Sequence, residues 1–273
     1  MPLSRSKVLL VQKISKATYS LCSTGENLAI KIQKIIDKKG FFWYSLCMSN
    51  YSKLTFSLNE DQEQVLIGTV LGDGHLGSPN KVNPYFSTNC CIKDKDYIWW
   101  KYNMLKSTEM FKRPPYEQTH HSFGKLRQVV ELHSRASHSL LKYYNWFYPN
   151  GVKRIPREIL DRLQPLGLAV WFMDDGCFSI WIGNRRKGRK GKLYKKVNIC
   201  MGDFLYEDVE LSRNYLLSKF GLDFKIYPKL KNSKGLHILA INKRKGVEDL
   251  VRIISPYIVS GMERKIGFLR NNL

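Results

Sequence analysis

The sequence predicts an α+β fold of two pseudo-symmetric halves, each with the element order helix, strand, strand, helix, strand, strand, helix (αββαββα). Three observations carry this. A nine-residue stretch occurs twice, as LIGTVLGDG at 66–74 and LAVWFMDDG at 168–176, with Asp73 and Asp175 in register and 102 residues apart, about the length of a small domain. A matching succession of apolar periods and turn signals follows each copy. The strand signals come as antiparallel hairpins between helices, not in the one-for-one alternation a parallel sheet needs.

Bulk properties narrow the function. With 273 residues, 43% of them apolar by the broad count and 12% aromatic, the chain can bury a sizeable core. Its formal charge of +22 creates a field that concentrates polyanions, so nucleic acid is the leading partner. No run of about 18 apolar residues and no basic helix with a clean apolar face is present, so no membrane partner is expected. The six cysteines (Cys22, Cys47, Cys90, Cys91, Cys177, Cys200) form no C-x-x-C, and no Cys or His pairs stand at zinc-finger spacing. They read as small core residues in a reducing compartment.

Residues 1–55 read as an N-terminal appendage, with Arg5, Lys7, Lys13 and Lys16 and no acid among the first 25. An import presequence, a remnant of an upstream reading frame and an ordinary tail all fit. The first half spans 56–160. Ser57 or Asn59 caps its motif helix, whose first turn carries Glu60, Asp61 and Glu63 where negative charge suits the helix dipole. A turn-rich segment follows Gly74, then a strand over 85–92. Asp94 or Asp96 opens a helix through Leu105 that ends before Pro114, and 124–133 alternates as a strand. Ser137 caps a helix that stops at Pro149.

The second half spans 161–273. Pro165 suits the first turn of its motif helix. Strands are expected at 178–182 and 197–201, a helix over 206–220, strands near 224–229 and 237–241, and a helix over 247–254. The two halves together would form a pseudo-twofold molecule with an asymmetric binding face.

An aspartate at a helix C-terminus opposes the dipole by about 0.3 to 1 kcal/mol. Both motifs place one there, and the second adds Asp174 before Asp175, with no basic residue in either segment. A divalent cation bound by carboxylates and carbonyls would relieve that repulsion. Gly68 and Gly72 share one helical face and permit close approach of another helix. If the two motif helices pack together, Asp73 and Asp175 come side by side. The second copy has Val170 and Asp174 where the first has those glycines, so the interface cannot be symmetric in detail.

On these residues the chain resembles the LAGLIDADG homing endonucleases, in the single-chain class with two motifs, of the kind encoded by organellar group I introns. The likeness spans about residues 57 to 270; LAVWFMDDG matches strongly and LIGTVLGDG is degenerate. It implies that Asp73 and Asp175 bind the catalytic Mg²⁺, with Mn²⁺ as a substitute, helped by the backbone carbonyls of Gly72 and Asp174. It implies that the motif helices join the halves and that each half lays a four-stranded antiparallel saddle on DNA. A basic residue late in each half is expected near the scissile phosphate: Lys153 and Lys265 are the candidates, with Arg154 and Arg264 as immediate rivals.

Phosphate contacts are expected from the basic run between the first two strands of the second half: Arg185, Arg186, Lys187, Arg189, Lys190, Lys192, Lys195 and Lys196. Further DNA-binding candidates are Lys81, Asn83, Tyr85, Ser87, Asn89 and Arg127 in the first half, and Lys225, Tyr227, Lys229 and Asn242 in the second. Alternation alone leaves open which parity faces DNA. His120 and His121 read as polar hairpin residues. The function so implied is site-specific double-strand DNA cleavage by a monomer, by a divalent-metal mechanism at a long asymmetric site. The alternative of the same fold is an RNA maturase that binds intron RNA; a third class is a DNA-binding regulator. Lys, Asn, Ile and Tyr usage points to an AT-rich genome, as in a mitochondrion or chloroplast.

Overall fold

A computed structural model describes residues 55–78, 82–122, 125–182, 193–202, 204–228 and 236–266. The appendage over 1–54, Lys81, Arg185, Arg186, Lys187, Arg189, Lys190, Lys192 and Lys229 lie outside the described residues. The described residues belong to one compact unit.

The first motif helix, α1 (Glu60–Leu71), starts at a capping box: Asn59 accepts from the Gln62 amide and the Gln62 side chain accepts from the Asn59 amide. A short strand β1 (His75–Gly77) follows, then β2 (Tyr85–Cys91) and α2 (Lys95–Leu105). Next come β3 (Tyr116–Ser122), β4 (Lys125–His133), α3 (Leu141–Phe147) and α4 (Arg157–Arg162). The second motif helix, α5 (Pro165–Asp175), leads into β5 (Gly176–Ile182) and β6 (Leu193–Cys200). Then α6 (Tyr206–Phe220), β7 (Lys225–Pro228), β8 (His237–Ile241) and α7 (Arg244–Ile254) complete the order. The strands form two antiparallel four-stranded sheets, ordered β1-β2-β4-β3 and β5-β6-β8-β7.

Two of the first half's strands are invisible as periodic patterns. β1 is only His-Leu-Gly, and β3 (YEQTHHS) is polar throughout because it is an edge strand whose pattern carries little apolar signal. The helix α4 also went unforeseen. α7, by contrast, buries Val247, Leu250, Val251 and Ile254 at helical spacing.

One continuous core serves both halves, and the motif helices run through it. Residues 64–71 of α1 and 166–173 of α5 are all buried, so each helix is enclosed on all sides, with Gln64 and Thr69 as the polar members of α1. The two helices pack directly on each other. A Cβ on Gly68 would collide with the Gly167 carbonyl and stand 2.7 Å from the Val170 Cβ; one on Gly72 would stand 2.5 Å from the Asp174 Cβ. The asymmetry visible in the repeat is therefore complementarity, with a glycine on α1 facing the bulkier equivalent on α5. Gln64 ties the start of α5: its Nε2 donates to the Arg162 carbonyl at 2.8 Å and its Oε1 accepts from the Gln164 amide at 2.8 Å. Among the described residues no helix is long and apolar enough to cross a membrane.

The cysteines depart from expectation. Cys91 and Cys177 are exposed and Cys90 and Cys200 half-buried, all with free thiols. Cys90 still packs against the core, on the β2 face that carries Phe86 and Thr88.

Candidate active site

The packing of α1 against α5 brings the two motif ends together. Gly72, Asp73, Asp175 and Lys153 line one cleft, closed on its other side by Cys200, Met201 and Phe204 of the second half. A second cleft holds Asp73, Asp174 and Lys265 with Asn89, Cys91 and Asp94 of the first half. The pseudo-twofold axis thus places one cleft on each side of the joined ends.

The two lysines hold equivalent positions. Lys153 Nζ donates to the carbonyls of Gly72 and Gly74, both at 3.1 Å. Lys265 Nζ donates to those of Asp174 at 3.1 Å and Gly176 at 2.7 Å. Each lysine neutralises the negative end of its own half's motif helix, which offsets the dipole cost of an aspartate there. The neighbouring arginines do different work. Arg154 forms a two-pronged ion pair with Asp208 on α6, and Arg264 reaches Asp94 at the start of α2, so each clamps the opposite half. Geometry thus separates Lys153 and Lys265 from their rivals.

Charge at the site is frustrated. Burial, followed by repulsion from Asp73 and Asp174, pushes the Asp175 carboxyl up to about 7, although Lys153 and Lys265 pull it down. Burial and then Arg264 hold Lys265 below the usual ammonium range. Asp174 differs from Asp175: Lys101 of α2, 1% exposed like its partner, grips both carboxylate oxygens at 2.8 and 3.0 Å. Burial raises the Asp174 carboxyl while Lys101 opposes the shift. The repulsion expected of Asp174 is therefore met by a lysine from another helix, which no reading of the motif alone could supply.

The donor set fits a hard divalent cation. Two carboxylates share a cleft with too little compensating charge, and backbone oxygens stand beside them. Among the described residues no group of three or more His, Cys, Asp and Glu side chains forms a closed ligand cage. Two carboxylates with flanking carbonyls suit Mg²⁺, which binds through one or two carboxylates and keeps waters or substrate oxygens. The carbonyls of Gly72 and Asp174 each accept a lysine hydrogen bond, and each retains a second lone pair.

The sheets sort the DNA-binding candidates. On β2, Phe86 and Thr88 are buried while Tyr85, Ser87 and Asn89 lie on the open face. Arg127 shares that face, opposite His120. In the second sheet Lys196, Lys225 and Tyr227 lie on the open face; Lys196 stands over the Tyr227 ring, and Asn242 donates to the Tyr227 hydroxyl. Two candidates change place. Asn83 precedes β2 and is only 6% exposed, packed into the fold. Lys195 is adjacent to Lys196 on one strand, so the pleat sends it to the opposite face.

Comparison with known proteins agrees with this architecture. The chain is 28% identical over 243 residues to "Probable intron-encoded endonuclease 1" of Wickerhamomyces canadensis, covering 86% of this chain and 98% of that protein. It is 25% identical over 256 residues to "Cytochrome b mRNA maturase bI2" of Saccharomyces cerevisiae, covering 88% of this chain and 56% of the maturase. It is 28% identical over 217 residues to "Protein RecA" of Mycolicibacterium flavescens, covering 77% of this chain and 47% of that protein. The chain thus spans about half the length of several relatives it matches. Among solved structures, the homing endonuclease I-WcaI bound to its DNA recognition sequence superposes with a TM-score of 0.65 at 25% identity, covering 80% of this chain and 91% of that one. The I-LtrWI LAGLIDADG homing endonuclease bound to target DNA shares the fold, with a TM-score of 0.50 at 12% identity, covering 77% and 88%. The family model of the LAGLIDADG DNA endonucleases matches residues 63–247, and the chain belongs to that family.

Proposed function

We propose that this chain is a site-specific double-strand DNA endonuclease acting as a monomer on a long asymmetric site. The observation that carries this is the pairing, at each of two pseudo-symmetric motif ends, of one carboxylate with one lysine that holds the motif's own carbonyls. Two such ends beside two open sheet faces supply one centre for each strand of a duplex. Asp73 and Asp175 would hold Mg²⁺, or Mn²⁺ in its place, with the carbonyls of Gly72 and Asp174 as supporting oxygens. When bound, the ion supplies a nucleophilic water at neutral pH and stabilises the leaving oxygen. Lys153 and Lys265 position the motif ends and place positive charge where negative charge develops on the phosphate in the transition state. Lys196, Lys225 and Arg127, with the basic 185–192 run, hold the duplex by its phosphates, and Tyr85, Ser87, Asn89 and Asn242 face its bases. The match to intron-encoded relatives supports an intron origin, and the maturase relative supports an organellar one.

The test is to incubate the full chain with a randomised duplex library in Mg²⁺ or in EDTA and sequence the cut ends. Cutting at one site class in Mg²⁺ alone, lost in Asp73→Asn and Asp175→Asn with DNA binding retained, is expected. Efficient cutting by Asp175→Asn overturns the mechanism. The likeness to the maturase over 88% of this chain favours a second reading, group I intron RNA binding; that reading predicts RNA retention by the same preparation without DNA cutting. Metal-independent DNA binding with no cutting would indicate a regulator.

A further inference from the structure

An acidic side chain stands in the middle of the first sheet's open face, in a chain of charge +22. Glu131 on the central strand β4 lies opposite Asn89 on β2 and Tyr116 on β3. Its carboxylate accepts from Tyr116 Oη at 2.7 Å, faces His133 Nε2 at 3.2 Å and His120 Nε2 at 2.6 Å. Burial raises the Glu131 carboxyl, but the Tyr116 hydrogen bond and the two histidines more than offset it, leaving it below the usual range. The glutamate side chain is 9% exposed, whereas the histidines are 38% and 40% exposed. His133 is flanked by the rings of Tyr85 and Tyr116, with Arg113 stacked over Tyr116.

The fold does not require this acid. In the second sheet the position opposite Asn198 and Lys225 corresponds to Glu131, and Ala240 occupies it. A carboxylate on a surface meant for phosphates is unfavourable unless it organises something. An ionised carboxylate can only accept, so each Nε2 that faces it carries a proton and donates. In a neutral imidazole so held, Nδ1 is an acceptor.

Resting on the reading that this face meets DNA, we infer that Glu131 is a positioning residue that sets His120 and His133 as a preorganised base-reading pair. At the strand position each ring faces, they select a base that presents an exocyclic amino donor in the major groove, adenine N6 or cytosine N4, over guanine or thymine, which present only acceptors there. Preorganisation by a buried partner is what allows an imidazole to discriminate by geometry and not by charge alone.

The test is selection from a randomised duplex library by the full chain in EDTA at pH 8, above the ordinary imidazole range. Native protein, Glu131→Gln, the surface variant His120→Ala/His133→Ala, and Asn242→Ala of the other sheet are compared. Glu131→Gln and the double histidine variant should each lose roughly ten-fold discrimination at the same one or two adjacent positions of one half-site, within the range of one good base contact. Asn242→Ala should relax positions in the other half-site only. Unchanged preferences in both cluster variants overturn the inference while leaving the DNA reading intact. So does an equal loss at every position, which a merely structural role would produce. Failure of the native chain to select any consensus overturns both.

Discussion

A Cβ on Gly72 would stand 2.5 Å from the Cβ of Asp174, and these two residues are equivalents in the internal repeat, 102 positions apart. Gly68 and Val170 repeat the relation one helical turn earlier. The motif helices therefore cross on the pseudo-twofold axis, each glycine receiving the larger side chain of its own counterpart. Gly68→Ala should be the more damaging change, because its methyl meets both the Gly167 backbone carbonyl and the Val170 Cβ, whereas that of Gly72→Ala meets Asp174 alone. We expect losses of about 3 kcal/mol or more and about 1 to 2 kcal/mol, respectively, read by urea denaturation. Equal losses would argue against the crossing described.

Lys101 and Asp174 form a buried pair contributed by different halves. Lys101→Met leaves a buried carboxylate without its partner and should cost about 3 to 5 kcal/mol. The double variant Lys101→Met/Asp174→Asn should recover more than half of that loss. Denaturant midpoints of the two proteins decide the matter.

Lys153 and Lys265 should differ from their arginine neighbours in kind. Lys153→Met and Lys265→Met are expected to lower cleavage by about 10²-fold at temperatures where the variants remain folded, beyond the modest fall in melting temperature from the lost carbonyl hydrogen bonds. Arg154→Ala strands Asp208, which is nearly buried, and should cost about 1 to 3 kcal/mol while cutting persists at low temperature. A cleavage assay paired with thermal melts separates the two classes.

Asp175 titrates near 7 in the folded chain and near 4 when unfolded. The folded state therefore holds the proton more tightly, so stability is lost as pH rises from about 4 to about 7. Below that window both states are protonated and no penalty applies; above it the penalty is complete. In EDTA, Asp175→Asn should gain on the native protein by roughly 2 to 4 kcal/mol across the window, measured by denaturation at successive pH values. A constant difference would show that Asp175 is not perturbed. Added Mg²⁺ should raise the melting temperature of the native chain at pH 8 more than that of the variant.

The family, the two-half plan, the paired aspartates and the lysines beside them are legible in the chain, because a repeated nonapeptide keeps its register and an apolar run long enough to be a buried helix has one reading. The second half carries clearer strand signals, since Val197, Asn198 and Ile199 of β6 alternate and β8 is a short apolar run, HILAI. β3 escaped because an edge strand of YEQTHHS has no apolar face to announce it, and with it went the ring of side chains around Glu131. Tertiary structure alone decided which glycine faces which side chain, that Lys101 answers Asp174, that Lys153 and Lys265 turn to carbonyls while Arg154 and Arg264 turn to acids, and that Asn83 and Lys195 leave the groove face. All of these are meetings between residues far apart in sequence. Local pattern specifies what each segment buries, whereas the identity of the partner it is buried against depends on how the two halves close on their shared axis.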